Sequence, residues 1–255
     1  STITALAHAD DDEGNGPRTS ARRDRSGYVL EGCKPVVPGG HVAQRFLVRA
    51  EVCGEGPAVF VVDATAPGLH LRPLRLIDGR GGCEIRLEHV DVPDSARLGG
   101  SDAAPALAET LDHALVMSCA EAVGAMGEAL RITRDYLGTR RQFGSALAGF
   151  QALRHRIAEM YAELAVSRAL LQRAVAALPA PAAERRRLAL ACKARVGRAA
   201  MFVANQSVQL HGGIGMTEEY AIGRIYKRLF TFDVLLGGHA RHEAWFAQSL
   251  QRPDP

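Results

Sequence analysis

At residues 98–100 the chain changes hydrophobic period, and that switch limits it to a two-part α+β fold. Before Leu98-Gly99-Gly100 the apolar residues come in short runs punctuated by Gly and Pro: Gly27-Tyr28-Val29-Leu30, Phe46-Leu47-Val48, residues 58–62, Leu69-His70-Leu71 and the alternating 84–88. Runs of that length and composition are strands of an antiparallel β domain. Beyond residue 100, Leu111, Leu115, Cys119, Ala122, Met126 and Leu130 recur at helical spacing on one face. Three breaks, at 138–144, 178–183 with two prolines, and 212–217, divide the rest into four helices. Short connections make neighbouring helices antiparallel, so an up-and-down bundle is expected. The expected organisation is an antiparallel, barrel-like β domain over 1–100 and a four-helix bundle over 101–255.

Composition narrows function mainly by exclusion. With 31 Lys and Arg against 28 Asp and Glu, the net charge of +3 is too small, and its basic residues too scattered, for a nucleic-acid footprint. Five cysteines form an odd set without CxxC spacing, which argues against a disulfide framework and a zinc site and fits a reducing, cytoplasmic setting. His239 and His242 stand at i, i+3 with no further ligands nearby, so packing or surface roles are expected rather than metal. No run approaches the roughly 20 apolar residues of a membrane helix, and the first residues lack the pattern of a signal peptide. The acidic stretch 10–17 reads as a solvated loop.

Two motifs carry chemistry. Arg140-Arg141-Gln142-Phe143-Gly144, followed by Phe150-Gln151, places guanidinium, amide and aromatic groups at one helix junction. Gln209-Leu210-His211-Gly212-Gly213-Ile214-Gly215 places an amide and a glycine turn at another. Guanidinium binds phosphate in a charge-assisted fork, and glycine lets backbone N–H groups approach an anion, so together these suit a dinucleotide's pyrophosphate and adenosine. The structural alternative is that Arg140 is a helix C-terminal charge and Gly144 a cap.

In order, identity and separation these motifs resemble the C-terminal half of the acyl-CoA dehydrogenases, flavoproteins of fatty-acid or sterol side-chain oxidation, and the resemblance runs from about residue 3 to about residue 246. It implies FAD as cofactor and α,β-dehydrogenation of an acyl-CoA thioester. It also implies a homo- or hetero-oligomer in which FAD is shared across the dimer interface. Members usually begin with an all-helical domain ahead of the β domain, and this sequence opens within the expected first strand. One chain grips the flavin ring, while its mate supplies Arg-x-Gln-Phe-Gly and Gln-x-x-Gly-Gly groups to the pyrophosphate and adenosine. The resemblance assigns the second set to Arg140, Gln142, Phe143, Gln209, Gly212 and Gly213.

The flavin-gripping set departs from the family's pattern. Its Thr-Glu-Pro falls on Ala7-His8-Ala9, and a serine expected at the pyrophosphate falls on Glu13. A carboxylate about 4 Å from a phosphate costs on the order of 4 kcal/mol per charge pair at an effective dielectric near 20. The Lys-x-Trp-Ile-Thr strand becomes Lys34-Pro35-Val36-Val37-Pro38, whose Val-Pro resembles actinobacterial members acting on bulky sterol-derived thioesters. The family's catalytic glutamate falls on Leu236, and the alternative position on Ala114. Asp233, a helical turn before Leu236, and Glu121 are the remaining carboxylates of interest, Glu121 more as a salt-bridge partner.

Three functions fit these residues. The chain is a partner subunit donating FAD contacts to a catalytic mate, as in two-chain members of the family; or a self-sufficient dehydrogenase with an atypical base; or an oxidase or monooxygenase on the same fold.

Overall fold

The computed structural model describes residues 2–9, 18–99 and 103–251. The chain divides into two compact units, Ser1–Ala108 and Glu109–Pro255.

In the first unit the strands are β1 (Thr4–Ala7), β2 (Ser20–Asp24), β3 (Gly27–Pro38), β4 (Arg45–Val52), β5 (Gly56–Asp63), β6 (Leu69–Arg75) and β7 (Gly81–Pro93). The expected antiparallel pairs dominate: β2 with β3, β3 with β7, β7 with β6, and β4 with β5. The sheet is nevertheless mixed. β5 covers one edge of β4, and β1 and β2 lie end to end along the other, both parallel to it, at residues 45–48 and 51–52 respectively. Strict alternation drives burial along β4, where Phe46, Val48, Ala50 and Val52 point inward. They close a core with Leu30, Phe60, Cys83, Ile85 and Val90.

β3 and β7 are longer than the apolar runs that mark them, because Gly32 and Pro35 sit at register slips instead of ending the strand. Bulges are where a sheet tolerates those residues. Gly32 is required there: its φ is 139°, and a Cβ would lie 2.6 Å from the Cα of Thr19.

The second unit is helical, and its first helix begins a few residues before the unit boundary: α1 (Ala103–Thr139), α2 (Gln151–Ala176), α3 (Ala182–His211), α4 (Ala221–Val234) and α5 (His239–Gln251). The three expected breaks are present. A fourth, at 235–238, splits the last expected helix, because Leu236 and Gly237 both take positive φ, 62° and 91°. Leu115, Cys119, Ala122, Met126 and Ala129 form the buried stripe of α1, each large apolar side chain stabilising by roughly 1.5–3 kcal/mol. The alanine-rich α3 lies at the centre. Its Gly197 lets the α4–α5 elbow close, since a Cβ there would meet Asp233 Oδ1 at 2.6 Å and His239 Cβ at 2.7 Å.

Candidate functional site

The end of α1 runs into a hairpin of β8 (Arg141–Gln142) and β9 (Ser145–Ala146). The Arg140 N–H donates to Tyr136 O at 2.8 Å, and the Arg140 carbonyl accepts from Leu147 N–H at 2.9 Å, so the arginine is fixed at the base of the hairpin. Phe143 and Gly144 form the tip with φ of 52° and 80°, the handedness favoured by two-residue hairpin turns. Left-handed backbone costs a non-glycine residue roughly 1–2 kcal/mol. Phe143 bears it while 91% exposed, making only an edge-on contact with Phe150 at 6.2 Å. Arg140 and Arg141 are exposed and have no carboxylate partner among the described residues. Gln142, also exposed, donates to the Arg141 carbonyl.

The last turn of α3 carries Gln209, exposed and with its amide unpaired among the described residues. Gly212 caps the helix at φ 64°, its N–H donating to Gln209 O and Val208 O. Gly213 is more telling. Its φ is not in the left-handed region, and no atom lies within 4 Å of where a Cβ would stand. Nothing in this chain's own packing requires a glycine there, and the space is open for an approaching group. By contrast, Gly215 is buried, and a Cβ would lie 2.9 Å from Val208 O.

Aromatic stacking joins the two motifs. Tyr136, one turn before Arg140, stacks on His211 with centroids 4.5 Å apart, and both rings meet Tyr220. His211 is buried; its Nδ1 hydrogen-bonds to Ser207 O at 2.7 Å, and burial lowers its pKa, keeping it neutral. His211 stands inside the glycine motif and Tyr136 outside the arginine motif; the one-turn spacing from Tyr136 to Arg140 is the signal in the sequence that links them.

The positions where the family keeps its base lack a free carboxylate. Leu236 lies in the α4–α5 break, its side chain packed against the bundle core and its carbonyl accepting from His242 Nε2 at 2.8 Å. Ala114 is half-buried on α1. Asp233 and Leu236 do not share a helical face, since α4 ends at Val234. The Asp233 carboxylate accepts from His239 N–H at 3.1 Å and lies 3.0 Å from His239 Nδ1. Glu121 pairs with Arg228. Lys193, fully buried, donates to Phe232 O and Asp233 O, and burial pushes its pKa down to about 8.

In the β unit Ala7 is buried, His8 half-buried and Ala9 exposed. The wholly buried Lys34 sends Nζ to within 3.4 Å of the His8 carbonyl. Val37 is buried beside it, and Glu13 lies outside the described residues.

A family model described as "Acyl-CoA dehydrogenase, C-terminal domain" matches residues 104–250, more than half of the chain. The chain belongs to the acyl-CoA dehydrogenase family. The acyl-CoA dehydrogenase FadE12 of Mycobacterium tuberculosis is 32% identical over 216 residues, covering 80% of this chain and 55% of the relative. The chain thus spans about half the length of that relative. Among solved structures, the ChsE4–ChsE5 complex from Mycobacterium tuberculosis is 27% identical at a TM-score of 0.86, covering all of this chain and 68% of its counterpart. A glutaryl-CoA dehydrogenase from Mycobacterium smegmatis, in complex with FADH2, is 26% identical at a TM-score of 0.85, covering 98% of this chain and 66% of that one. Among the described residues no helix is long and apolar enough to cross a membrane.

Proposed function

We propose that this chain is a subunit of an acyl-CoA dehydrogenase complex that lends FAD contacts to a catalytic mate, the complex removing two hydrogens across the α,β bond of an acyl-CoA thioester. The observation that carries the assignment is the Tyr136–His211 stack, which joins the exposed hairpin of Arg140, Gln142 and Phe143 to the turn of Gln209 and Gly213, while the positions for the base hold Leu236 and Ala114. FAD, when bound, supplies the redox chemistry. Arg140 neutralises the pyrophosphate and Gly213 leaves its backbone open to it. Gln142 and Gln209 offer amides to the nucleotide, and Phe143 an apolar face. These groups position and hold; none of them moves a proton.

The fit is poorer on the flavin side, where Ala7 replaces a hydroxyl and Val36 an indole. The relatives named above include an assembly of two named components, which supports a multi-subunit reading, and a structure holding reduced flavin, which supports FAD as the cofactor. The test compares flavin absorbance per particle for the assembly purified from its host and for its Arg140→Ala form. A lost charge-assisted phosphate contact, roughly 1.5–3 kcal/mol, weakens FAD about tenfold to a hundredfold. Unchanged flavin content, or brisk acyl-CoA-dependent dye reduction by the purified chain alone, would remove the assignment.

A further inference from the structure

His211 ends α3 as a buried imidazole with one nitrogen bonded and the other left over. A carbonyl only accepts, so the 2.7 Å contact with Ser207 O fixes the proton on Nδ1 and the lone pair on Nε2. Nε2 is buried and has no hydrogen-bond partner among the described residues. Three elements close round the ring. Tyr136 of α1 stacks on it, and Tyr220, which caps α4, tilts against it with centroids 5.1 Å apart. The 3-10 turn Gly212–Met216 folds back against the residue itself, since a Cβ on Gly215 would lie 3.0 Å from His211 Cβ.

This enclosure suits one charge state. Adding a proton to Nε2 makes a cation and a new N–H donor where no acceptor stands. The titratable groups facing the ring are the phenols of Tyr136 and Tyr220, and no carboxylate pairs with it among the described residues. A tyrosine face attracts a cation, but water holds an unpaired ion far better. A protonated ring is therefore driven outward. It cannot leave without moving what it touches: Gly212 follows it directly in the chain, and its stacking partner Tyr136 precedes Arg140 by one turn.

We propose that neutral His211 is a positioning residue for the two motifs assigned to the nucleotide, and that protonation of its Nε2 frees the Gly212–Gly213 turn and releases FAD. This deepens the preceding assignment and rests on it. Burial holds the pKa of the folded ring below the ordinary 6.5, with the Ser207 hydrogen bond opposing. The closed turn is thus fully favoured above about pH 6.5 and loses ground as pH falls, because the freed ring takes the proton first.

The test has two arms between pH 7.5 and 5.5. In the purified chain, NMR follows the His211 ring and the exchange protection of the Gly212 N–H, which donates to Gln209 O and Val208 O. Protection should fall about fivefold or more, in step with protonation of the ring. In the assembly purified from its host, flavin absorbance retained after gel filtration should fall over the same range. His211→Phe keeps a ring for Tyr136 and cannot titrate, so whatever flavin it holds should not vary with pH. His242→Gln removes the other buried imidazole and should keep the wild-type fall. A fall that persists in His211→Phe assigns the titration to another group and overturns the proposal. The exchange arm needs no variant, so it decides even if His211→Phe does not fold: Gly212 protection that does not follow the ring overturns the proposal as well. An assembly that holds no flavin at any pH ends the preceding assignment and this one together, whereas flavin held equally at every pH ends this one alone.

Discussion

Tyr136 stacks on His211 with centroids 4.5 Å apart and an interplanar angle of 27°, locking the last turn of α1 to the last turn of α3. Arg140 follows the first ring by one turn, and Gly212 follows the second directly, so this contact sets the distance between the two motifs proposed to hold the nucleotide. Replacing Tyr136 with Leu keeps apolar bulk and removes the stack. The expected loss is about 1 kcal/mol in denaturant unfolding, with lower FAD retention by the assembled complex. Full stability together with full flavin content in the variant would show that the two helix ends are aligned by something else.

Phe143 takes left-handed backbone with one edge-on ring contact, to Phe150, among the described residues: φ is 52° and the ring is 91% exposed. Backbone strain held at an exposed position points outward, toward a ligand or partner. Phe143→Asn should therefore leave the isolated chain as stable as before, or more stable by up to about 1 kcal/mol, since Asn tolerates left-handed backbone. The same change should weaken FAD retention. A clear drop in thermal stability of the isolated chain would mean that the ring supports the fold, and the ligand argument would fail.

The two-unit architecture is legible in the sequence because hydrophobic period is a local property. Strand runs and the α1 stripe from Leu115 to Ala129 needed no knowledge of their neighbours. The fourth helical break was not legible in that way. Leu235-Leu236-Gly237-Gly238 drew attention as the place of a missing glutamate, and only backbone geometry shows it as an elbow that ends α4. The parallel pairing of β1 and β2 with β4 is equally non-local, since no residue in Thr4–Ala7 encodes which edge it joins. At the site, the motifs gave the residues but not their companionship: the Tyr136–His211 contact joins positions far apart in sequence.

Asp233 distinguishes a structural from a catalytic carboxylate. It accepts from the first backbone N–H of α5 and from the His239 ring, and its side chain is 15% exposed. Asp233→Asn keeps one acceptor but loses the charge, which should cost about 1–2 kcal/mol in unfolding. Turnover per folded complex should stay unchanged. Loss of turnover with no loss of stability would assign the proton-abstracting role to Asp233.

His242 predicts how the helical unit responds to acid. The residue is 1% exposed, Nε2 donates to the Leu236 carbonyl at 2.8 Å, and Nδ1 is buried without a hydrogen-bond partner among the described residues. Burial pushes its pKa from 6.5 down to about 4; the Leu236 hydrogen bond opposes this, while Lys193, Arg186 and Arg241 add to it. Because the folded pKa lies below the unfolded one, the unfolded chain takes the proton first as pH falls. This group therefore costs nothing above about pH 6.5, and stability is lost progressively between about 6.5 and 4. The full loss is on the order of 3 kcal/mol at about 1.4 kcal/mol per unit. His242→Gln retains a donor for the Leu236 carbonyl and does not titrate. Denaturant unfolding of both proteins across that range should give curves that separate as pH falls, the wild type dropping further. Parallel curves would mean that the imidazole is hydrated in solution, and with it the α4–α5 elbow that holds Leu236 against the core.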